Sequence, residues 1–319
     1  IQENFTVLRE ATVLSKLKTK KKRISLESYN NYGYIFLLPF FLVFLIFNLY
    51  PTLYTILLSF TDLSGWNTEF KLVGIQNFIN LFNNALFLKA LTNTLILWTM
   101  NFIPQIVLAM ILAFWFSNKR LNLKGTGFFK TIFYLPNIIT AASVALIFYS
   151  LFSYPAGPIN MLLLKFGVLD DPIDFFRSVM GTRLIVSFIQ FWMWYGQTTI
   201  VLLAGILSID ESLFEAARID GANDMAVFKN ITLPLLKPIT LYVLITSLIG
   251  GLQIFDIPLL LTNGAPNNSV ETLMTFVYKQ AFQGSRSLNI ASAGSVVLLV
   301  ISIVFSLCIF RSFKEKKVN

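Results

Sequence analysis

Apolar stretches of about 20 residues alternate with short polar segments along this chain, and that is the length a helix needs to cross the hydrocarbon core of a bilayer. Six such stretches occur: Gly33–Leu58, Leu91–Phe116, Phe128–Phe152, Leu184–Ile206, Thr240–Leu261 and Ala291–Phe310. The pattern predicts an all-α membrane protein with six transmembrane helices. Pro39, Pro51, Pro104 and Pro136 fall inside these stretches. Membrane helices tolerate proline because neighbours re-satisfy the freed carbonyls, and proline often marks a kink.

The bias of Lys and Arg sets the orientation. Arg9, Lys16, Lys18, Lys20, Lys21, Lys22 and Arg23 precede the first stretch. Lys119, Arg120, Lys124 and Lys130 follow the second, Arg218, Lys229 and Lys237 follow the fourth, and Arg311, Lys314, Lys316 and Lys317 end the chain. The alternate side holds only Lys71, Lys89, Lys165, Arg177, Arg183, Lys279 and Arg286. Both termini are therefore expected in the cytoplasm. Residues 1–31 read as a basic cytoplasmic arm on an anionic leaflet, with Val7, Val13, Leu14 and Leu17 as a weak apolar face. The basic cluster leads into a span-length run with no small-residue cleavage site, unlike a secretory signal. A six-helix membrane domain is expected over 32–311, with a cytoplasmic tail over 312–319.

Composition agrees. The chain is 55% hydrophobic and 13% charged, with a mean hydropathy of +0.69, against about 25% charged residues in a soluble domain. The single Cys308 and the lack of histidine exclude a disulfide framework, Cys metal sites and His-based acid–base chemistry. The net charge of +9 is distributed as a topology signal, so nucleic acid is not expected as a partner.

The fourth loop, Ser208–Pro238, lies on the expected cytoplasmic side. Asp210 is suited to cap a helix whose period is set by Leu213, Phe214, Ala217 and Arg218. Asp220-Gly221 breaks it, because glycine permits the positive backbone angle of a tight reversal. A second short helix, capped by Asn223 or Asp224, carries Met225, Phe228 and Ile231 on one face. Pro234 and Pro238 close it.

Within that loop Glu215-Ala216-Ala217, then Gly221, then Ile231, Leu233 and Pro234 resemble the EAA loop of permeases from binding-protein-dependent ABC importers, with Asp220, Ala222 and Phe228 fitting the flanking positions. Leu49-Tyr50-Pro51, Ser59-Phe60-Thr61-Asp62, Phe133-Tyr134-Leu135-Pro136, Phe255-Asp256 and Leu261–Pro266 resemble the carbohydrate type. Ala265 departs from the usual Gly-Gly-Pro. That last segment, Phe255–Pro266, and the tail beyond the sixth stretch resemble the first of the two permeases in sugar and glycerol-phosphate importers, the larger maltose type.

The resemblance implies the type I ABC importer permease fold in the bacterial cytoplasmic (inner) membrane, and import of an oligosaccharide or related carbohydrate by alternating access. It implies an ATPase docking on Glu215, Ala216, Ala217, Asp220, Gly221, Ala222, Phe228 and Pro234. The implied partners are a second homologous permease, two ATP-binding subunits and an extracellular or periplasmic solute-binding protein. The chain itself would bind no cofactor, ATP and Mg being held by the partner ATPase. In agreement, the sequence has no G-x-x-x-x-G-K-[ST] loop.

Gln190, Trp194 and Gln197 share one face of the fourth stretch. Amides pair with hydroxyls and an aromatic face packs on a sugar ring, although such amides also fasten helices together. Counting from the EAA loop, the family's sugar contacts fall on Gln190, Met193, Trp194 and Gln197 before it, and on Ser247, Gly250, Gly251 and Asp256 after it. Asp256 is equally suited to accept sugar hydroxyls, to cap a broken helix, or to pair with Arg183 or Arg286. An acid in the path favours a neutral sugar, while the two arginines keep acidic sugars open. A membrane enzyme would need His, Cys or paired acids, and a secondary transporter would need inverted repeats and intramembrane charge pairs; neither pattern is present.

Overall fold

The computed structural model describes residues 30–65, 69–118, 121, 124–284 and 286–313. Nearly all of the expected N-terminal arm and most of the tail lie outside them. The helices are α1 (Asn30–Phe44), α2 (Tyr50–Leu58), α3 (Gln76–Phe82), α4 (Ala85–Ser117), α5 (Thr126–Ile138), α6 (Ala141–Leu151), α7 (Pro158–Lys165) and α8 (Val179–Leu207). There follow α9 (Glu211–Ile219), α10 (Asp224–Val227), α11 (Leu233–Leu235), α12 (Lys237–Leu252), α13 (Asp256–Thr262), α14 (Leu273–Phe282) and α15 (Leu288–Phe313). Among the described residues there is no strand.

By internal contacts the chain divides after Tyr54. In the first unit α1 passes into a π-turn over Leu45–Leu49, where the Tyr50 N–H reaches back to the Leu45 carbonyl. Pro51 has no N–H to offer the preceding turn, which is where wider turns of this kind form. Thr52 Oγ1 donates to the Asn48 carbonyl at 2.7 Å. From Gly33 on, this unit is exposed along its length and almost wholly apolar, as a surface meant for lipid is.

The second unit is a bundle built on α4 and α8, which share two apolar clusters with their neighbours. Leu97, Ile185, Val186, Ile189 and Ile257 form one, and Phe102, Ala109, Leu202, Leu203, Leu236 and Val243 the other. A third cluster joins Leu81, Phe87, Leu273, Phe276 and Ala293. Small residues let the backbones approach, as expected between membrane helices. A side chain at Gly196 would run into the Phe133 carbonyl, and one at Gly205 into Leu236.

Gly33–Leu58, Ala85–Ser117, Lys237–Thr262 and Leu288–Phe313 are each long and apolar enough to cross a membrane, and α5 with α6 qualifies as a pair. That pair covers the third stretch, Phe128–Phe152, in which Pro136 marked a kink. It bends by 92°, with Pro136 in the last turn of α5, Ile139 extended, and Thr140 capping α6. The 29-residue α8 is long enough but too polar to qualify, because it carries Arg183, Gln190 and Gln197 among its apolar residues.

The fifth span is also broken. α12 ends after Gly250-Gly251-Leu252, and α13 begins at Asp256. Paired glycines weaken a helix, and the break leaves backbone groups to satisfy. Thr272 Oγ1 donates to the freed Ile254 carbonyl at 2.6 Å. The segment after α13 is fastened to the bundle by side chains. Asn93 Nδ2 donates to the carbonyls of Asn268, at 2.7 Å, and Glu271, at 3.0 Å. Arg183 donates to the Ser269 carbonyl at 3.0 Å and to Asn93 Oδ1 at 2.7 Å.

Candidate functional site

A cavity of about 300 Å³ opens between α4, α8 and the broken span α12–α13. Gln190, Met193, Trp194, Gln197, Ser247, Gly250, Gly251 and Asp256 all line it, so the structure brings together every residue that counting from the loop had selected. The three-and-four spacing on α8 turns both amides and the Trp194 indole the same way. Met193 is buried, whereas Trp194 is 44% exposed and reaches into the open side.

Residues missed by the sequence reading complete the wall. Asn101 and Gln105 come from α4, Thr198 from α8, Tyr242 and Thr246 from α12, and Gln253 and Phe255 from the break. Gln105 Nε2 donates to Thr198 Oγ1 at 2.7 Å, and Thr198 in turn donates to the Trp194 carbonyl at 3.1 Å. Trp98 stands directly behind, its Nε1 donating to Ser247 Oγ at 3.4 Å. Most of these residues stand singly in apolar sequence, without a motif. The signal available for Asn101 and Gln105 was their cost: amides inside a span are held there by partners or by a cavity.

Asp256 opens α13 and is exposed to the cavity. The cap position belongs to Phe255, with no side-chain capping bond. Arg183 is committed to Asn93 and Ser269. Thus the cap and the Arg183 pair weighed for Asp256 are both absent.

At the far end of α8, the loop has the expected helix–turn–helix shape. Asp210 caps α9, accepting the Ser212 N–H at 3.0 Å. Hydrogen bonds from the Ser212 backbone and then its hydroxyl hold the Asp210 carboxyl below its ordinary range. α9 ends in a Schellman motif: the Ala222 N–H meets the Ala217 carbonyl at 2.9 Å, and the Gly221 N–H meets the Arg218 carbonyl at 3.1 Å. This needs the left-handed backbone of Gly221, at φ +82°. Asn223 caps α10 through the Ala226 N–H at 2.8 Å.

Glu215, Ala216, Asp220, Gly221 and Pro234 are exposed, and Ala217 and Ala222 are half-buried. Phe228 turns inward, its ring centroid 4.9 Å from that of Phe114, and Asn118 Nδ2 donates to Asp224 Oδ2 at 3.0 Å. The second leg of the loop is therefore fastened to the end of α4, and Phe228 serves that fastening.

The profile of the family described as binding-protein-dependent transport system inner membrane component matches residues 94–314. The lactose transport system permease protein LacF of Rhizobium radiobacter is 33% identical over 92% of this chain and 98% of its own length. The arabinooligosaccharides transport system permease protein AraP of Bacillus subtilis is 34% identical over 88% of this chain and 89% of its own. Among solved structures, a chain of a bacterial ABC transporter involved in import of the acidic polysaccharide alginate superposes with a TM-score of 0.76 at 26% identity. It covers 90% of this chain and 96% of that one. The chain belongs to the family of binding-protein-dependent transport system inner membrane components, the membrane-spanning permeases of ABC importers.

Proposed function

We propose that this chain is one of two permease halves of an ATP-driven importer that moves an oligosaccharide or related carbohydrate into the cytoplasm by alternating access. The observation that carries this reading is the connection between two sites. α8 and α12, which wall the amide-lined cavity, are the helices joined by the loop that exposes Glu215, Ala216 and Gly221. An ATPase seated on that loop pulls on both walls at once. α8, fourth in chain order, brings the spans to six, its polar face turned to the cavity rather than to lipid; an even count puts both termini on one side, and the Lys/Arg bias supports the cytoplasmic one.

The chemistry of the cavity supports a sugar. Amides and hydroxyls both donate and accept, and Trp194 offers a ring face to the apolar side of a pyranose. Relatives named for lactose and arabinooligosaccharide transport fit this class. A second homologous permease closes the open side, where Trp194, Tyr242 and Gln253 are exposed. Two ATP-binding subunits carry ATP and Mg, and an extracellular or periplasmic solute-binding protein delivers the sugar. A solved relative was captured in complex with a ligand-bound periplasmic protein.

The test is to express the chain with the transport genes beside it, purify it, and look for a stoichiometric ATPase. Glu215→Lys combined with removal of residues 220–222 abolishes uptake and strips the ATPase from the complex. Unchanged uptake in that variant would overturn the reading.

A further inference from the structure

We infer that a cleft beneath the Ser208–Pro238 loop binds a small neutral molecule with an apolar body and a carbonyl acceptor, and that its occupant locks the loop. The cleft has a volume of about 230 Å³ and opens where α4 and α8 end, between those ends and both legs of the loop. It shares no lining residue with the amide-lined cavity. Its apolar walls are Phe114 of α4, Ile206 and Leu207 of α8, Phe214 of α9 and Val227 of α10.

Two polar groups in the same lining have nothing to bond. Arg218 Nε and Thr232 Oγ1 are shut off from solvent, and neither meets a hydrogen-bond partner among the described residues. Thr232 as a whole is 0% exposed. Polar groups left this way are costly, and buried ones are nearly always paired. Thr232 also closes a π-turn over Phe228–Thr232, in which the Leu233 N–H reaches back to the Phe228 carbonyl. Single turns of this kind gather at functional sites.

The chemistry of the lining sets the ligand class. A guanidinium N–H and a hydroxyl both donate, and a carbonyl oxygen has two lone pairs to offer them. Glu211 and Asp224 lie in the same lining, so an anion drawn by Arg218 also meets like charge. A cation finds the carboxylates and leaves both donors unanswered. Pockets for drug-sized ligands begin at about 300 Å³, so the cleft takes a fragment.

The two legs of the loop are held unequally. The second is fastened to the end of α4 by Phe228 on Phe114 and by Asn118 on Asp224. The first, α9, faces that end across the cleft through Phe214 and Arg218. A molecule filling the gap fastens the first leg too. The effect on transport rests on the importer reading above: α9 carries Glu215 toward the ATPase, and a loop held by both legs does not make its stroke.

The test uses the whole transporter in lipid nanodiscs. Ser117→Cys on a Cys308→Ser background leaves this chain one thiol, in the lining of the cleft. Its rate of labelling by N-ethylmaleimide is read by mass spectrometry in the presence of diethylbenzamide, para-tert-butylbenzoate or para-tert-butylbenzylamine. The neutral amide halves the rate at about 1 mM, the affinity expected of a molecule that size, and both ions need at least about 10-fold more. Thr232→Val raises the half-protecting concentration about 5-fold, the loss of one hydrogen bond, and Thr232→Ser does not. ATP-driven uptake by the unlabelled wild type falls over the same range of amide. No protection at about 20-fold the expected concentration, equal protection by either ion, or an unchanged value in Thr232→Val overturns the site. Protection with undiminished uptake overturns the lock. If uptake is absent before any probe is added, the importer reading falls, and the labelling still decides the site.

Discussion

The indole of Trp98 occupies the space that a side chain at Gly251 would need, and its Nε1 donates to Ser247 Oγ at 3.4 Å one turn earlier on α12. The glycine is therefore a seat for the indole at the back of the cavity. Gly251→Val forces the ring out of place, an overpacking cost of about 1–3 kcal/mol. Uptake falls sharply in this variant, and Gly251→Val with Trp98→Ala recovers part of the lost thermal stability. Gly250, which has open space around it, accepts alanine with little change in either measurement.

Asn93 is 1% exposed and serves Arg183 and two loop carbonyls at once. Asn93→Leu orphans all three, at a cost of about 3 kcal/mol. A thermal-shift measurement in detergent records the drop. Arg183→Met costs less when placed on the Asn93→Leu background than on wild type, because the shared bond is already lost.

Gly221 terminates α9 with a left-handed backbone, a conformation that costs most side chains roughly 1–2 kcal/mol. Asparagine bears it better than alanine does. Coupling, read as sugar moved per ATP hydrolysed, thus falls in the order wild type, Gly221→Asn, Gly221→Ala. Ligand binding at the cavity stays unchanged across the series.

The cap at Asp210 titrates. Its carboxyl lies below its ordinary value in the folded loop, through the hydrogen bonds from Ser212. The stabilisation is therefore complete above the unfolded carboxylate value of about 3.9, and it is lost as pH falls through the lower folded value. The protection factor of the Ser212 amide, its intrinsic exchange rate divided by the observed one, falls across that acid window. In Asp210→Ser, which caps without titrating, it does not.

The periodic parts of the site were legible. Gln190, Trp194 and Gln197 follow helical spacing, and the turn at Asp220-Gly221 and the cap Asp210 came from local chemistry alone, while the second cap stayed open between Asn223 and Asp224 until the Ala226 N–H assigned it to Asn223. The breaks were harder to read. Pro136 announced a kink, but the 92° bend depends on Ile139 and Thr140, which nothing in the local pattern singles out. The interruption at Gln253–Phe255 depends on Thr272, 18 residues further along, receiving the loose Ile254 carbonyl. Arg183 was open to pairing with Asp256, and only its tertiary neighbours assign it to Asn93 and Ser269. Gln105 and Thr198 meet across 93 positions of sequence, a distance at which periodicity carries no information.

α8 crosses from Gln190 to Leu207 without interruption, whereas its partner wall is jointed between Leu252 and Asp256. The two therefore differ in stiffness. From Gln197 to the end of α8 is about 15 Å of unbroken helix, a rod that would carry a push on α9 to the amides. The other wall has a knuckle beside Gly250, Gly251 and Asp256 where the same push is absorbed as bending. On the coupling proposed above, a stroke applied at the loop would arrive at the cavity as shear between a rigid jaw and a yielding one, and the grip between Gln197 and Asp256 would loosen on one side first.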